Sequence, residues 1–129
     1  MTLASWKHGK CLAWDFTCVD TMADSHINLT TQGPGKAAEK AEKGKLAKYA
    51  DLTHNFIVQP VAVETLGAWG PSSIKFLEEI GSRIATATGE KRSTSYLFQA
   101  LSMAIQRGNV TSIRGSIPKS QRHNEIFYL

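Results

Sequence analysis

The sequence predicts a small α/β domain, and three observations carry that prediction. Two apolar, aromatic-containing runs lie close together at the start of the chain with a short polar turn between them. A third, β-branched run follows an Ala-, Lys- and Glu-rich stretch, and two amphipathic stretches come after it. The predicted order is β-β-α-β-α-α. At 129 residues the chain suits one domain with one core and is short for two.

Thr2–Trp6 and Cys11–Val19 read as strands joined by a Lys7-His8-Gly9-Lys10 turn, a hairpin. Residues 20–34 are polar and close on Gly33-Pro34-Gly35, a loop signal. Lys36–Leu52 has helical composition despite Gly44 inside it. Phe56–Val63 is β-branched but contains Pro60, which predicts an edge or a bulge there. Ile74, Leu77, Ile80 and Ile84 recur at helical spacing through Pro71–Thr88, with Gly89 as a stop. Ser93–Arg107 reads as a last helix ended by Gly108-Asn109, so residues 1–108 form the domain and 109–129 a basic, irregular tail. Strand 11–19, helix 36–52 and strand 56–63 make a βαβ unit with parallel strands. Together with the hairpin this gives a small mixed sheet flanked by helices.

The net charge of +4 is unevenly placed: residues 1–105 contribute only +1, and residues 106–129 contribute +3. A basic end permits contact with nucleic acid or acidic surfaces, and it reads equally as a solvated tail. The positions that would make such contacts are Lys7, Lys10, Arg107, Arg114, Lys119 and Arg122. No apolar run approaches the ~20 residues that span a bilayer, and no signal-peptide pattern opens the chain. An intracellular protein with no membrane segment is the expectation. Cys11 and Cys18 in one strand would lie roughly 23 Å apart on opposite faces and could not bond to each other. The absence of Cys-x-x-Cys and His-x-x-x-His spacing argues against zinc.

Alternation puts Leu12, Trp14, Phe16 and Cys18 on one face of the second strand and Ala13, Asp15, Thr17 and Val19 on the other. Asp15 is therefore a carboxylate within an apolar strand. It either finds a cation, a metal or backbone donors, or it faces water at an edge. In the following helix Ala37, Ala38, Ala41 and Gly44 form a small-residue side able to approach a sheet, and Lys45 and Lys48 fall in the same arc. The two lysines either meet Asp15 or extend outward along their stems. An Asp–Lys pair has a use in phosphodiester hydrolysis, where the carboxylate binds Mg²⁺ and a lysine orients or activates water. A second carboxylate is then needed, and Glu64 and Asp20 are the near candidates. Glu64 reads at least as well as a cap or turn residue before Gly67. Gly33-Pro34-Gly35-Lys36 has some likeness to a phosphate loop but lacks its spacing, and a plain helix start is the better reading.

Three segments together resemble a known family. Trp14-Asp15-Phe16-Thr17-Cys18-Val19-Asp20-Thr21, Lys48-Tyr49-Ala50-Asp51-Leu52 and Val63-Glu64-Thr65-Leu66-Gly67-Ala68-Trp69-Gly70-Pro71 are similar to the region downstream of the reverse transcriptase domain in non-LTR retrotransposon proteins of animals. Ala104-Ile105-Gln106-Arg107-Gly108-Asn109 continues the likeness, which covers nearly residues 2–118. That region is a restriction-like endonuclease, a divergent branch of the PD-(D/E)XK nucleases. The resemblance implies a restriction-endonuclease-like fold and a Mg²⁺-dependent DNA nick that primes reverse transcription, inside the nucleus and beside a polymerase domain. It would make Asp15 the acidic residue of the (D/E)XK element. Thr17 stands where the lysine is usual, and a lysine of the next helix, here Lys48, would replace it. In the family the Pro-Asp carboxylate lies at the start of the hairpin, just before this chain begins. The expectation is a fragment, or a relic translated from an internal methionine, with an incomplete site. A non-catalytic nucleic-acid-binding module and a structural domain packed on a polymerase are the alternatives.

Overall fold

The computed structural model describes Thr2 and residues 4–117, and it is a mixed α/β fold around a three-stranded sheet. Strands β1 (Ser5–Lys7), β2 (Lys10–Val19) and β3 (Phe56–Glu64) lie in the order β1-β2-β3. The first two pair antiparallel. The last two pair parallel over nine residues, from Cys11 opposite Phe56 to Val19 opposite Glu64.

The hairpin turns on His8 and Gly9, with φ of 50° and 74°. Positive φ at both central positions gives the turn whose twist matches antiparallel strands, and glycine accepts it without steric cost. The registered pairs are Lys7–Lys10 and Ser5–Cys11, so two steps along β1 meet one along β2. Such a bulge re-aims a side chain. Here Trp6 packs on the core formed by Leu12, Val61 and Phe76, its ring 6.0 Å from that of Phe76. β1 starts at Ser5 instead of the expected Thr2 and runs one residue past Trp6, while Thr2 still bonds to Leu12 through its N–H and its Oγ1.

Between β2 and β3 come a single helical turn, α1 (Ile27–Thr30), in what reads from sequence as loop, and then α2 (Lys36–Lys48). α2 stops four residues before the expected Leu52. Leu52 N–H bonds back to Tyr49 C=O, and Ala50–His54 tighten into a 3₁₀ turn that delivers Phe56 to the sheet. α3 (Pro71–Thr88) begins and ends as predicted, with Gly89 left-handed at φ 78°. α4 runs from Ser93 to Ser116, so the expected stop at Gly108-Asn109 is overturned and residues 109–116 are helical. Gly108 costs that helix about 1 kcal/mol. Asn109 turns its amide onto the Thr65 carbonyl at 2.7 Å, which fastens the helix to the end of the sheet instead of ending it.

α2 covers one face of the sheet and α3 the other, with α4 packed on α3. Two buried glutamates join these layers. Glu64, at the end of β3, lies against the start of α2, where Oε1 accepts the Ala37 and Ala38 N–H groups at 3.1 and 3.4 Å. Glu42, midway along α2, reaches the start of α3. Its Oε1 accepts Ser73 N–H at 2.7 Å and the Ser73 hydroxyl at 2.5 Å, and its Oε2 accepts Ser72 N–H at 3.3 Å. Helix N-termini present unpaired N–H groups and partial positive charge, so a carboxylate is stabilised there without a cation. Gly70 leaves room for this approach, because a Cβ at that position would collide with the Glu42 carboxylate.

Glu42→Ala is expected to lower unfolding free energy by about 2–4 kcal/mol, since it orphans the buried donors of Ser73 and the half-buried N–H of Ser72. Glu42→Gln is expected to cost less, because an amide oxygen still accepts. Chemical denaturation reads both values, and equal losses for the two variants would contradict the role of the acceptor.

Candidate functional site

Asp15 sits mid-strand in β2 opposite Pro60, on the face that α2 covers. Lys45 Nζ lies 2.9 Å from its Oδ2, and Tyr49 Oη donates to the same oxygen at 3.1 Å. Lys45 and Tyr49 are one helical turn apart, so the end of α2 presents both toward β2. The pair is not sealed: the Lys45 and Asp15 side chains keep 29% and 31% of their exposure. Lys48 stands 5.3 Å from the centre of the Tyr49 ring.

The Lys45 ammonium holds the Asp15 carboxyl below its ordinary value against a smaller opposing desolvation, and Tyr49 and the Lys48 charge add to the lowering. Lys45 is raised in turn, chiefly by Asp15. The geometry thus brings together Asp15 and Lys45, keeps Lys48 one step away, and adds Tyr49. The sequence reading missed Tyr49 as a partner, although its spacing of four from Lys45 carried the signal.

Glu64 and Asp20 occupy other posts. Glu64 stands four register positions from the partner of Asp15, roughly 13 Å along the strands, with Oε1 taken by α2. The expected pairing of Asp15 with Glu64 around one metal is therefore corrected: Glu64 is a helix cap. Asp20 uses Oδ1 to accept the Met22 N–H at 3.0 Å. No group of three or more His, Cys, Asp or Glu side chains converges among the described residues. One lysine-paired carboxylate does not fit a Mg²⁺ centre, which needs several oxygen ligands. The Gly33-Pro34-Gly35-Lys36 start of α2 does not hold phosphate either, since the Glu64 carboxylate already sits there.

The basic residues divide into two kinds. Lys7 is ion-paired with Glu79 at 2.8 Å, whereas Lys10 donates to a neutral partner, the Thr53 carbonyl, at 3.1 Å. Arg107 and Arg114 border one shallow cleft on α4 with Met103 and Val110. Seven residues apart, they stand about 10 Å from each other along the helix. Lys119 and Arg122 lie outside the described residues. Cys11 and Cys18 are both free thiols. No helix among the described residues is long and apolar enough to cross a membrane. Comparison with family models, curated proteins and solved structures returned no match.

Because the folded-state value of Asp15 is depressed, its contribution to stability is present above the ordinary value of 3.8 and is lost as pH falls through the lowered one. The stability gap between wild type and Asp15→Asn is expected to be full at neutral pH and to close in that acid window. Carboxyl NMR titration should place Asp15 highest in Lys45→Ala, lower in Tyr49→Phe and lowest in wild type. An order with Tyr49→Phe above Lys45→Ala would contradict the assignment of the lysine as the main cause.

Proposed function

We propose that the chain is an endonuclease-like domain of the kind associated with non-LTR retrotransposon reverse transcriptases, acting on nucleic acid and lacking a complete metal centre among its described residues. The observation that carries this reading is the contact of strand carboxylate Asp15 with Lys45, a lysine of the helix that follows. It matches in kind the arrangement implied by the PD-(D/E)XK resemblance, where a helix lysine replaces the one missing from the strand. The lysine that meets the carboxylate is Lys45, with Lys48 beside it, whereas the resemblance pointed to Lys48.

What these residues can do unaided is limited. An ammonium and a phenol on one carboxylate form a polar, partly solvated cluster able to face a phosphodiester. Lys45 and Lys48 would attract the phosphate, and Asp15 would hold Lys45 in place. No hydrolytic step is derived through Mg²⁺, since the single carboxylate does not fit it. In this reading DNA or RNA is the partner, a reverse transcriptase polymerase domain is the neighbour, and the nucleus is the place of action.

A second reading, a non-catalytic nucleic-acid-binding module, rests on Arg107 and Arg114 sharing one cleft of α4. The two readings separate in experiment. Supercoiled plasmid with Mg²⁺ or Mn²⁺ is expected to stay unnicked by the chain, while duplex DNA binds with salt-sensitive affinity. Nicking that Asp15→Asn abolishes would contradict the incomplete site. Under the second reading, Arg107→Ala and Arg114→Ala each weaken binding across sequences and flatten the slope of log affinity against log salt by about 0.9. If Lys45→Ala and Lys48→Ala flatten the slope and the arginine variants do not, the contact lies at the Asp15 face instead.

A further inference from the structure

The two outer edges of the sheet are finished differently. On β3 the outward backbone groups are covered. Pro60 has no N–H to offer, Ala62 N–H donates to Ser73 Oγ at 2.7 Å, and the Ala62 carbonyl accepts Gly70 N–H at 3.0 Å. Glu64 N–H donates to the Ala68 carbonyl at 2.7 Å. On β2, the N–H and C=O of Leu12 face Thr2, bonding to its Oγ1 at 2.9 Å and its N–H at 2.8 Å. Alternation turns the backbone groups of Trp14, Phe16 and Cys18 the same way. Among the described residues nothing pairs with those groups, since the registered β1 pairs end at Cys11.

The side chains of the same three residues are also uncovered. Trp14 is 51% exposed and Phe16 52%, and Cys18 is exposed beside them. Trp14 borders one cleft with Phe76 and Arg83, and Phe16 borders another with Leu101 and Ile105, so the apolar patch runs between the two. Edge strands are ordinarily blunted by charge, proline or a bulge. Between Leu12 and Val19 the one formal charge is Asp15, which lies on the other face and is paired with Lys45.

We propose that this edge is an interface between two copies of the chain, with β2 pairing antiparallel to β2 of a second copy about a two-fold axis through Phe16. The strand is self-complementary in that register. Antiparallel ladders exchange bonds at every second residue, and positions 14, 16 and 18 are so spaced. Phe16 faces its own equivalent, and the large Trp14 faces the small Cys18 of the second copy, in both directions. On the opposite face Asp15 meets Thr17, so no like charges oppose. The added strand continues the antiparallel ladder that β1 begins at Lys10 and leaves at Leu12. The four aromatics meet as one patch, and the two sheets merge into one. The contact is a single strand pairing, within the class of weak interfaces, so association is expected to be reversible and to depend on concentration.

The 129-residue chain tests this by sedimentation across a concentration series. Wild type is expected to pass from monomer to dimer, and Phe16→Lys, an exposed substitution, to remain monomeric with an unchanged circular dichroism spectrum. In a background with Cys11→Ser and Cys18→Ser, Phe16→Cys should form a disulfide-linked dimer. Its equivalent Cα atoms would lie about 5.5 Å apart, within disulfide reach. Trp14→Cys in that background should not cross-link, since its equivalents stand four residues out of register. A chain that stays monomeric to several hundred micromolar overturns the proposal, as does one that binds only unrelated strand peptides at this edge. Cross-linking of Trp14→Cys as readily as Phe16→Cys, or a dimer indifferent to Phe16→Lys, does the same.

Discussion

The arrangement depends on a carboxylate that ends a strand and begins a helix. Glu64 is the last residue of β3, and its side chain lies across the first turn of α2, where it satisfies N–H groups that no helix can satisfy for itself. Glu64 is 2% exposed, so its carboxylate has exchanged water for the helix terminus. No salt bridge to it occurs among the described residues, and the positive end of α2 is its counter-charge. Glu42 repeats the device one layer on. α2 is held at its start by β3 and in turn holds the start of α3, while Ser73 passes the link to the Ala62 N–H at the edge of β3.

This chain of caps decides what Asp15 meets. Once its first turn is fixed at the Glu64 end of the sheet, α2 runs back along the face and brings its last turn over the middle of β2. Lys45 and Tyr49 arrive at Asp15 for that reason. The same placement sets Glu64 and Asp15 at opposite ends of the helix, each with its own partner, so they cannot share a metal ion. Two glutamates that composition alone would offer as chemical groups are employed in architecture, and the half-exposed carboxylate of Asp15 is paired with a lysine.

Much of the fold was legible in the sequence because short-range signals coincide with the outcome. His8-Gly9 marks the turn, Pro60 marks an edge strand, and Gly89 closes α3. The strand and helix periodicities put Asp15 on the α2 face and Lys45 in the arc that approaches it. What the sequence hid is long-range. The caps by Glu64 and Glu42 join residues 26 to 31 positions apart, and nothing local announces them. Gly108-Asn109 looks like a helix stop, yet the Asn109 amide is drawn to Thr65, 44 residues away, and the helix continues. The bulge within β1 accompanies the packing of Trp6 on Leu12, Val61 and Phe76, contacts that no single window of sequence contains.

The central claim is that Glu64 acts through α2 to set the Asp15 cluster, and that it is not a ligand beside it. Carboxyl NMR titration of Asp15 in Glu64→Ala tests this most directly. If the cap positions the helix, loosening its first turn weakens the Lys45 and Tyr49 contacts, and the Asp15 value rises toward that of an ordinary aspartate while the chain remains folded. An Asp15 titration identical to wild type in a folded Glu64→Ala protein would contradict the account.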